Sequence, residues 1–184
     1  MLKDFKVLLL PGWLNSDPDH WQSRWERLHG DERVMQHDWE VPLRGDWITR
    51  LEDVVLSQPQ DRPLVFAAHS LGCHLAAAWA QVSHSVHRVQ GALLVAPPDI
   101  ARDNMPAALH SWRKPVLATL PFAATCVVSS DDPFGSEAAG LAMAASWGAQ
   151  TVKLGAKGHV NAASGLSDWP EGRRMLLDLT GSQN

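Results

Sequence analysis

The 184-residue sequence contains no tyrosine and only two cysteines, Cys73 and Cys126. Two thiols cannot build a disulfide framework, and these lack the paired spacing of a zinc site. A soluble protein of the reducing cytoplasm, without a metal, is expected. Positive charge is also scarce, with 16 Lys and Arg against 20 Asp and Glu and a formal net charge of −4. That balance leaves no electrostatic footprint for nucleic acid or an anionic membrane surface. Long apolar runs are missing too, and nothing approaches the ~18 apolar residues of a membrane span. The N-terminus offers Lys3 and Lys6, then only Val7 to Leu10 before Pro11-Gly12. This is shorter than the roughly 7–15 residues of a signal-peptide core. Neither G-x-G-x-x-G nor G-x-x-x-x-G-K-S/T occurs, which removes the common nucleotide loops.

What is present describes an ordinary globular chain, 45% hydrophobic and 20% charged. Its length suits one domain over residues 1–184. The unusual number is nine tryptophans, which should serve as core or pocket wall because indole is mostly apolar. Continuous apolar strings at 5–10, 64–68, 89–96 and 123–129 read as strands buried on both faces. Shorter strands are expected at 33–37 and 150–154. Helices are expected after Asp17-Pro18, through Trp47 to Val55, and over 71–82, 136–147 and 171–179. The stretch Asp99 to Pro121 reads as irregular, broken by Pro106, Pro115 and Pro121. Strands alternating with helices imply parallel pairing and right-handed crossovers. The expected fold is therefore a three-layer α/β/α sandwich around a mostly parallel sheet of about six strands.

The strand at 64–68 runs directly into Ala68-His69-Ser70-Leu71-Gly72 and then into a helix. This is a G-x-S-x-G elbow with Ala in its first position. Small residues flank the serine because a strand turning at once into a helix needs close backbone packing. Ser70 is the candidate nucleophile and the Leu71 N–H a candidate oxyanion donor, against the plainer reading of Ser70 as a helix N-cap. In this arrangement an acid and then a histidine follow the serine in the chain. Asp99 and the pair Asp131-Asp132 both follow strands, and the later pair is better placed. Of nine histidines, only His159 follows the last strand, in a Gly-flanked loop suited to presenting an imidazole. His69 and His74 are five apart, not the i,i+4 of a helical metal pair. The second oxyanion donor is expected from the loop after the first strand, with the Trp13 N–H first and Leu14 second. Cys73 reads as a small core residue.

At this point four patches resemble a known family. They are Leu10-Pro11-Gly12-Trp13 with Asp19-His20-Trp21-Gln22; His69-Ser70-Leu71-Gly72; Ser130-Asp131-Asp132-Pro133-Phe134; and Gly158-His159-Val160-Asn161 with Gly165 and Asp168-Trp169-Pro170-Glu171-Gly172. The chain is similar to the small α/β-hydrolases related to retinoblastoma-binding protein 9. The resemblance implies a minimal α/β-hydrolase fold without a large cap domain, and hydrolysis of esters or amides. It implies the triad Ser70, Asp132 and His159, because the family's acid directly precedes proline. The family's Leu-x-Cys-x-Glu partner element is not carried over, since Leu75 stands where Glu is needed. The expected function is a serine hydrolase acting on a small ester or amide through an acyl-enzyme, with no cofactor. Leu14, Phe134 and Trp169, with Trp13, are expected to wall its pocket. The rival is a non-catalytic interaction module on the same fold.

Overall fold

The apolar strings form the centre of a sheet in a computed structural model that describes residues 5–181. The termini of the expected 1–184 domain, 1–4 and 182–184, lie outside the described residues. In chain order the elements are β1 Lys6–Leu10, α1 Trp21–His29, β2 Glu32–Arg33, α2 Arg44–Ser57, β3 Leu64–His69, α3 Leu71–Val82, β4 Val89–Val95, β5 Ala123–Val128, α4 Glu137–Trp147, β6 Gln150–Lys153 and α5 Pro170–Gly181. The six strands lie in the order β2-β1-β3-β4-β5-β6, and every pairing is parallel. Successive side chains of a strand point to opposite faces, so each central strand serves two layers. Leu8, Leu10, Phe66, Ala68 and Leu94 pack with α2, α3 and α4. Val7, Leu9, Val65, Ala67 and Leu93 pack with α1 and α5. This is the expected three-layer sandwich. Among the described residues no helix is long and apolar enough to cross a membrane.

The strand order decides where a site can form. The chain leaves β1 outward to β2, then returns to place β3 on β1's other side. Leu10 and Ala68, near the ends of β1 and β3, are register partners. The loops after these strands open in opposite directions, one toward α1 and one into α3. Such a topological switch point leaves a crevice at the carboxyl ends of the strands.

Seven of the nine tryptophans are fully buried. Their indole N–H groups tie loops to the sandwich. Trp25 donates to the Asp168 carbonyl at 2.7 Å, Trp47 to Asp38 at 3.0 Å, Trp112 to Pro42 at 2.9 Å and Trp147 to Val116 at 2.8 Å. A buried indole has a large apolar body and a single donor, so it packs in a core while satisfying a loop carbonyl.

Three expectations change. Asp17 does not cap α1; its carboxylate takes the N–H groups of Asp19 and His20, and helix starts only after His20. The strand expected at 33–37 shrinks to Glu32–Arg33, because it is an edge strand with only two register partners on β1. The segment after β4 is less irregular than its prolines suggest. A 3₁₀ turn at Ala107–Trp112 packs Leu109 and Trp112 on the core, in place of a crossover helix.

Gly72 marks the tightest packing at the switch point. A Cβ there would stand 2.1 Å from the Leu10 carbonyl oxygen, whereas one at Gly45 in α2 would meet nothing within 4 Å. Gly72→Ala is expected to cost about 3 kcal/mol and lower the melting temperature by roughly 5–10 °C. Gly45→Ala should leave it unchanged or raise it slightly. Calorimetry on both variants checks the contrast; equal melting temperatures would contradict it.

Candidate active site

Ser70 stands between the end of β3 and the start of α3 with φ 54 and ψ −124. That backbone region is costly for a residue with a Cβ, by about 1–3 kcal/mol, and persists only where neighbours hold it. Here the Ser70 N–H donates to the Val95 carbonyl, and the Cys73 N–H donates to the Ser70 carbonyl, both at 2.9 Å. Gly12, on the loop after β1, approaches so closely that a Cβ would lie 2.7 Å from the Ser70 Cβ. Ser70 makes no side-chain cap to α3. Its hydroxyl is turned instead toward His159.

His159 arrives on the loop after β6, and Asp132 on the loop after β5. Ser70 Oγ lies 2.8 Å from His159 Nε2, and His159 Nδ1 lies 2.8 and 3.0 Å from the two Asp132 oxygens. The side chains of His159 and Asp132 are only 10% and 5% exposed. A carboxylate only accepts, so Nδ1 carries the ring proton and Nε2 presents its lone pair to the Ser70 hydroxyl. The Phe134 N–H also donates to Asp132 Oδ1 at 2.8 Å and fixes that carboxylate. Asp131 points away. It is solvated, and it receives the Gly158 N–H at 2.7 Å and the Ser129 hydroxyl at 2.9 Å. These two bonds hold its carboxyl below the usual carboxylate range. Asp99 receives the Ala101 N–H within its own turn and makes no contact with His159.

Leu71 and Trp13 both line the cavity over Ser70. The N–H groups of Leu71 and Trp13 have no acceptor among the described residues. The Leu14 N–H, the second choice from that loop, is engaged by the Trp39 carbonyl at 3.2 Å. A cavity of roughly 250 Å³ opens over Ser70. Trp13, Leu14, Phe134, Met105, Pro106 and Leu109 form its apolar wall, and Asn15, Asp17, His20, His69 and Asn161 also line it. Leu14 and Phe134, two of the residues expected as pocket wall, line this cavity. Trp169 does not. It is 2% exposed and packs against Trp21 and Trp25, with ring centroids 5.2 and 6.2 Å apart. Gly172, one helical turn later, leaves the space its indole fills. Met105 and Leu109 escaped sequence reading because prolines surround them, although the spacing of Met105, Leu109 and Trp112 is helical. A wider hollow of about 670 Å³ lies at the other end of β1. It is lined by the Asp31–Arg173 ion pair and contains no candidate nucleophile.

A strand–serine–helix elbow with buried histidine and aspartate partners meets an independent finding here. The family model described as serine hydrolase matches residues 7–178. The chain belongs to the serine hydrolase family. It is similar in structure to a YdeN-like hydrolase from Pectobacterium atrosepticum, with 25% identity, TM-score 0.84, and coverage of 97% of this chain and 92% of that one. The ydeN gene product of B. subtilis is 16% identical with TM-score 0.73, covering 97% and 100%. Est1E from Butyrivibrio proteoclasticus, solved with ferulic acid bound, is 12% identical with TM-score 0.70, covering 97% and 90%. At such identities the last two show the α/β-hydrolase fold alone. No curated protein sequence matches the chain.

This serine hydrolase surrounds its elbow with neutral imidazoles. Burial, then the charges of Arg33 and His159, lower the His20 pKa to about 3. Burial likewise pushes His69 well below the ordinary histidine value. His74, on α3 behind the elbow, is lowered to about 4 by burial, although its bond to the Pro98 carbonyl opposes the shift. Groups with depressed folded-state pKa values bind fewer protons folded than unfolded. Their stabilisation is present above the unfolded value of about 6.5 and is lost as pH falls through the folded one. The melting temperature should therefore fall between pH 7 and pH 5. His74→Gln should flatten that fall, by about 2 kcal/mol at pH 5. Parallel melting curves for both proteins across this range would contradict the assignment.

Proposed function

We propose that this serine hydrolase cleaves a small ester or amide, with Ser70 as nucleophile, His159 as general base and Asp132 as the orienting acid. The observation that carries the reading is the unbroken line from the Ser70 hydroxyl through His159 to the Asp132 carboxylate, each contact 2.8 Å. As Ser70 Oγ attacks the acyl carbon, His159 Nε2 takes its proton. Asp132 stabilises the imidazolium and keeps the tautomer that presents Nε2. The N–H groups of Leu71 and Trp13 meet the developing oxyanion; one such donor is typically worth ~10²–10³ in turnover. His159 then returns the proton to the leaving group, and water, activated by the same imidazole, releases the acyl-enzyme. No step requires a cofactor.

Cavity size and lining support a modest apolar acyl or aryl group. That one neighbour of the same fold was solved with ferulic acid bound, and another is named an esterase, is compatible with an ester. Kinship with relatives of retinoblastoma-binding protein 9 rests on the four sequence patches. Two buried free thiols suit a reducing, cytoplasmic setting.

A fluorophosphonate probe should add once, on the Ser70 peptide, and Ser70→Ala should abolish labelling with the fold intact. Labelling that persists in Ser70→Ala, or that moves to Cys73, would sink the assignment. Asp132→Asn should lose on the order of 10²–10⁴ in kcat on a short-chain p-nitrophenyl ester. Asp131→Asn should lose less than about tenfold, because an amide oxygen still accepts the Gly158 N–H. Asp99→Asn should be nearly neutral. A dead Asp131 or Asp99 variant beside an active Asp132→Asn would reassign the acid.

A further inference from the structure

We infer that His69 and Trp21 are positioning residues for His159, gripping its loop by two consecutive backbone carbonyls. The inference rests on the reading of His159 as general base. Gly155 and Gly158, with φ of 72 and 58, flank this loop. Glycine lets the chain turn but gives it no preferred conformation, so the direction of the imidazole must be set from outside. On the β5 side, the Lys157 N–H donates to Ser129 Oγ at 2.9 Å and the Gly158 N–H to Asp131 at 2.7 Å. Beyond the histidine the holding groups change sides. His69 Nε2 donates to the His159 carbonyl at 2.8 Å, and the Trp21 indole donates to the Val160 carbonyl at 3.0 Å.

The backbone shows what these two donors do. Val160 has φ 50, a left-handed conformation rare for a β-branched residue, and it is fully buried. Such strain persists only where neighbours over-determine it. It turns the chain immediately after His159, and the carbonyls on both sides of the turn are the ones held. Removing either donor takes from a part-buried or buried carbonyl its partner and frees the peptide to relax.

Both donors are registered to the switch point. His69 precedes Ser70, so one dipeptide contacts His159 twice. Ser70 meets the imidazole at 2.8 Å, and His69 meets the backbone of the same residue at 2.8 Å. A carbonyl can only accept, so His69 must carry its proton on Nε2. Its ring lies between those of His20 and His159, with centroids 4.5 and 4.8 Å away. Trp21 opens α1, and its neighbour Gln22 donates to the carbonyls of Leu10 and Ala67 at 3.2 and 2.9 Å. The helix that carries Trp21 is thereby fastened to the ends of β1 and β3. The Asp19-His20-Trp21-Gln22 patch has a mechanical role, joining base, nucleophile and oxyanion loop in one frame.

A small misplacement of a reacting group can cost ~10² in rate. His69→Phe keeps a ring and loses the donor. It should lower kcat about 10–100-fold while KM stays within about twofold. His69→Gln, which restores an N–H near the same position, should recover to within about fivefold of wild type. Trp21→Phe should lower kcat in the same way. A second readout needs no substrate: the low-field proton NMR line of the His159 Nδ1–H against Asp132. It should be sharp in wild type and His69→Gln, and broadened in His69→Phe and Trp21→Phe, with circular dichroism unchanged. A sharp line in both donor-less variants overturns the inference, as does a kcat loss that His69→Gln does not recover or a loss carried by KM alone. Broadening in both variants of a protein that hydrolyses no ester and takes no fluorophosphonate would support the anchoring while the hydrolase reading falls.

Discussion

The carbonyl of Leu10 leaves no room for a side chain on Gly72, and Gly12 in turn lies against the Cβ of Ser70. This contact between the chain leaving β1 and the chain leaving β3 is what the rest of the site depends on. It exists because β1 and β3 are hydrogen-bonded neighbours whose exits diverge. Two glycines let the backbones close to within touching distance. The closure holds Ser70 in a conformation that a serine would not adopt alone. It also brings Trp13 and Leu71 into the lining of one cavity. The strained Ser70 and the two cavity-lining residues beside it are therefore products of a single packing event.

The histidine and the acid reach this point from the other half of the sheet. β5 and β6 are parallel neighbours, so the loops after them emerge side by side. The Ser130 N–H donates to Gly155, and the Leu154 N–H to Val128, which zips the two exits together. Adjacent Asp131 and Asp132 then divide the work by pointing opposite ways. One carboxylate fixes the main chain of the histidine loop, and the other fixes the histidine's side chain. Pro133 has a fixed φ and biases Asp132 toward extended backbone, which supports that division.

With no tyrosine in the chain, tryptophan carries the amphipathic duties of the interior. Buried indoles fill the space between sheet and helices, and their single donors secure loop carbonyls on both sides of the sandwich. Trp169 illustrates why an aromatic near a site in sequence need not line it. Its position before α5 and the space left by Gly172 draw it into the cluster with Trp21 and Trp25. There it supports the residue that holds Val160.

Much of this was legible in the residues alone. Continuous apolar strings on a parallel sheet must be buried on both faces, so strand number, layer arrangement and the elbow at Ser70 could be read from local pattern. His159 followed from chain order. Chain position favoured the Asp131-Asp132 pair over Asp99, but the choice within the pair stayed open, because periodicity says nothing about direction in a loop. The resemblance to known hydrolases pointed to Asp132, and it is the Asp132 carboxylate that lies against His159 Nδ1. Contacts between segments far apart in the chain were not legible. The pocket walls at Met105 and Leu109, the withdrawal of Trp169 and the grip of His69 and Trp21 on the histidine loop all depend on where loops meet. Local sequence determines which face of an element is apolar; only the folded sheet decides which loops its strand ends bring together.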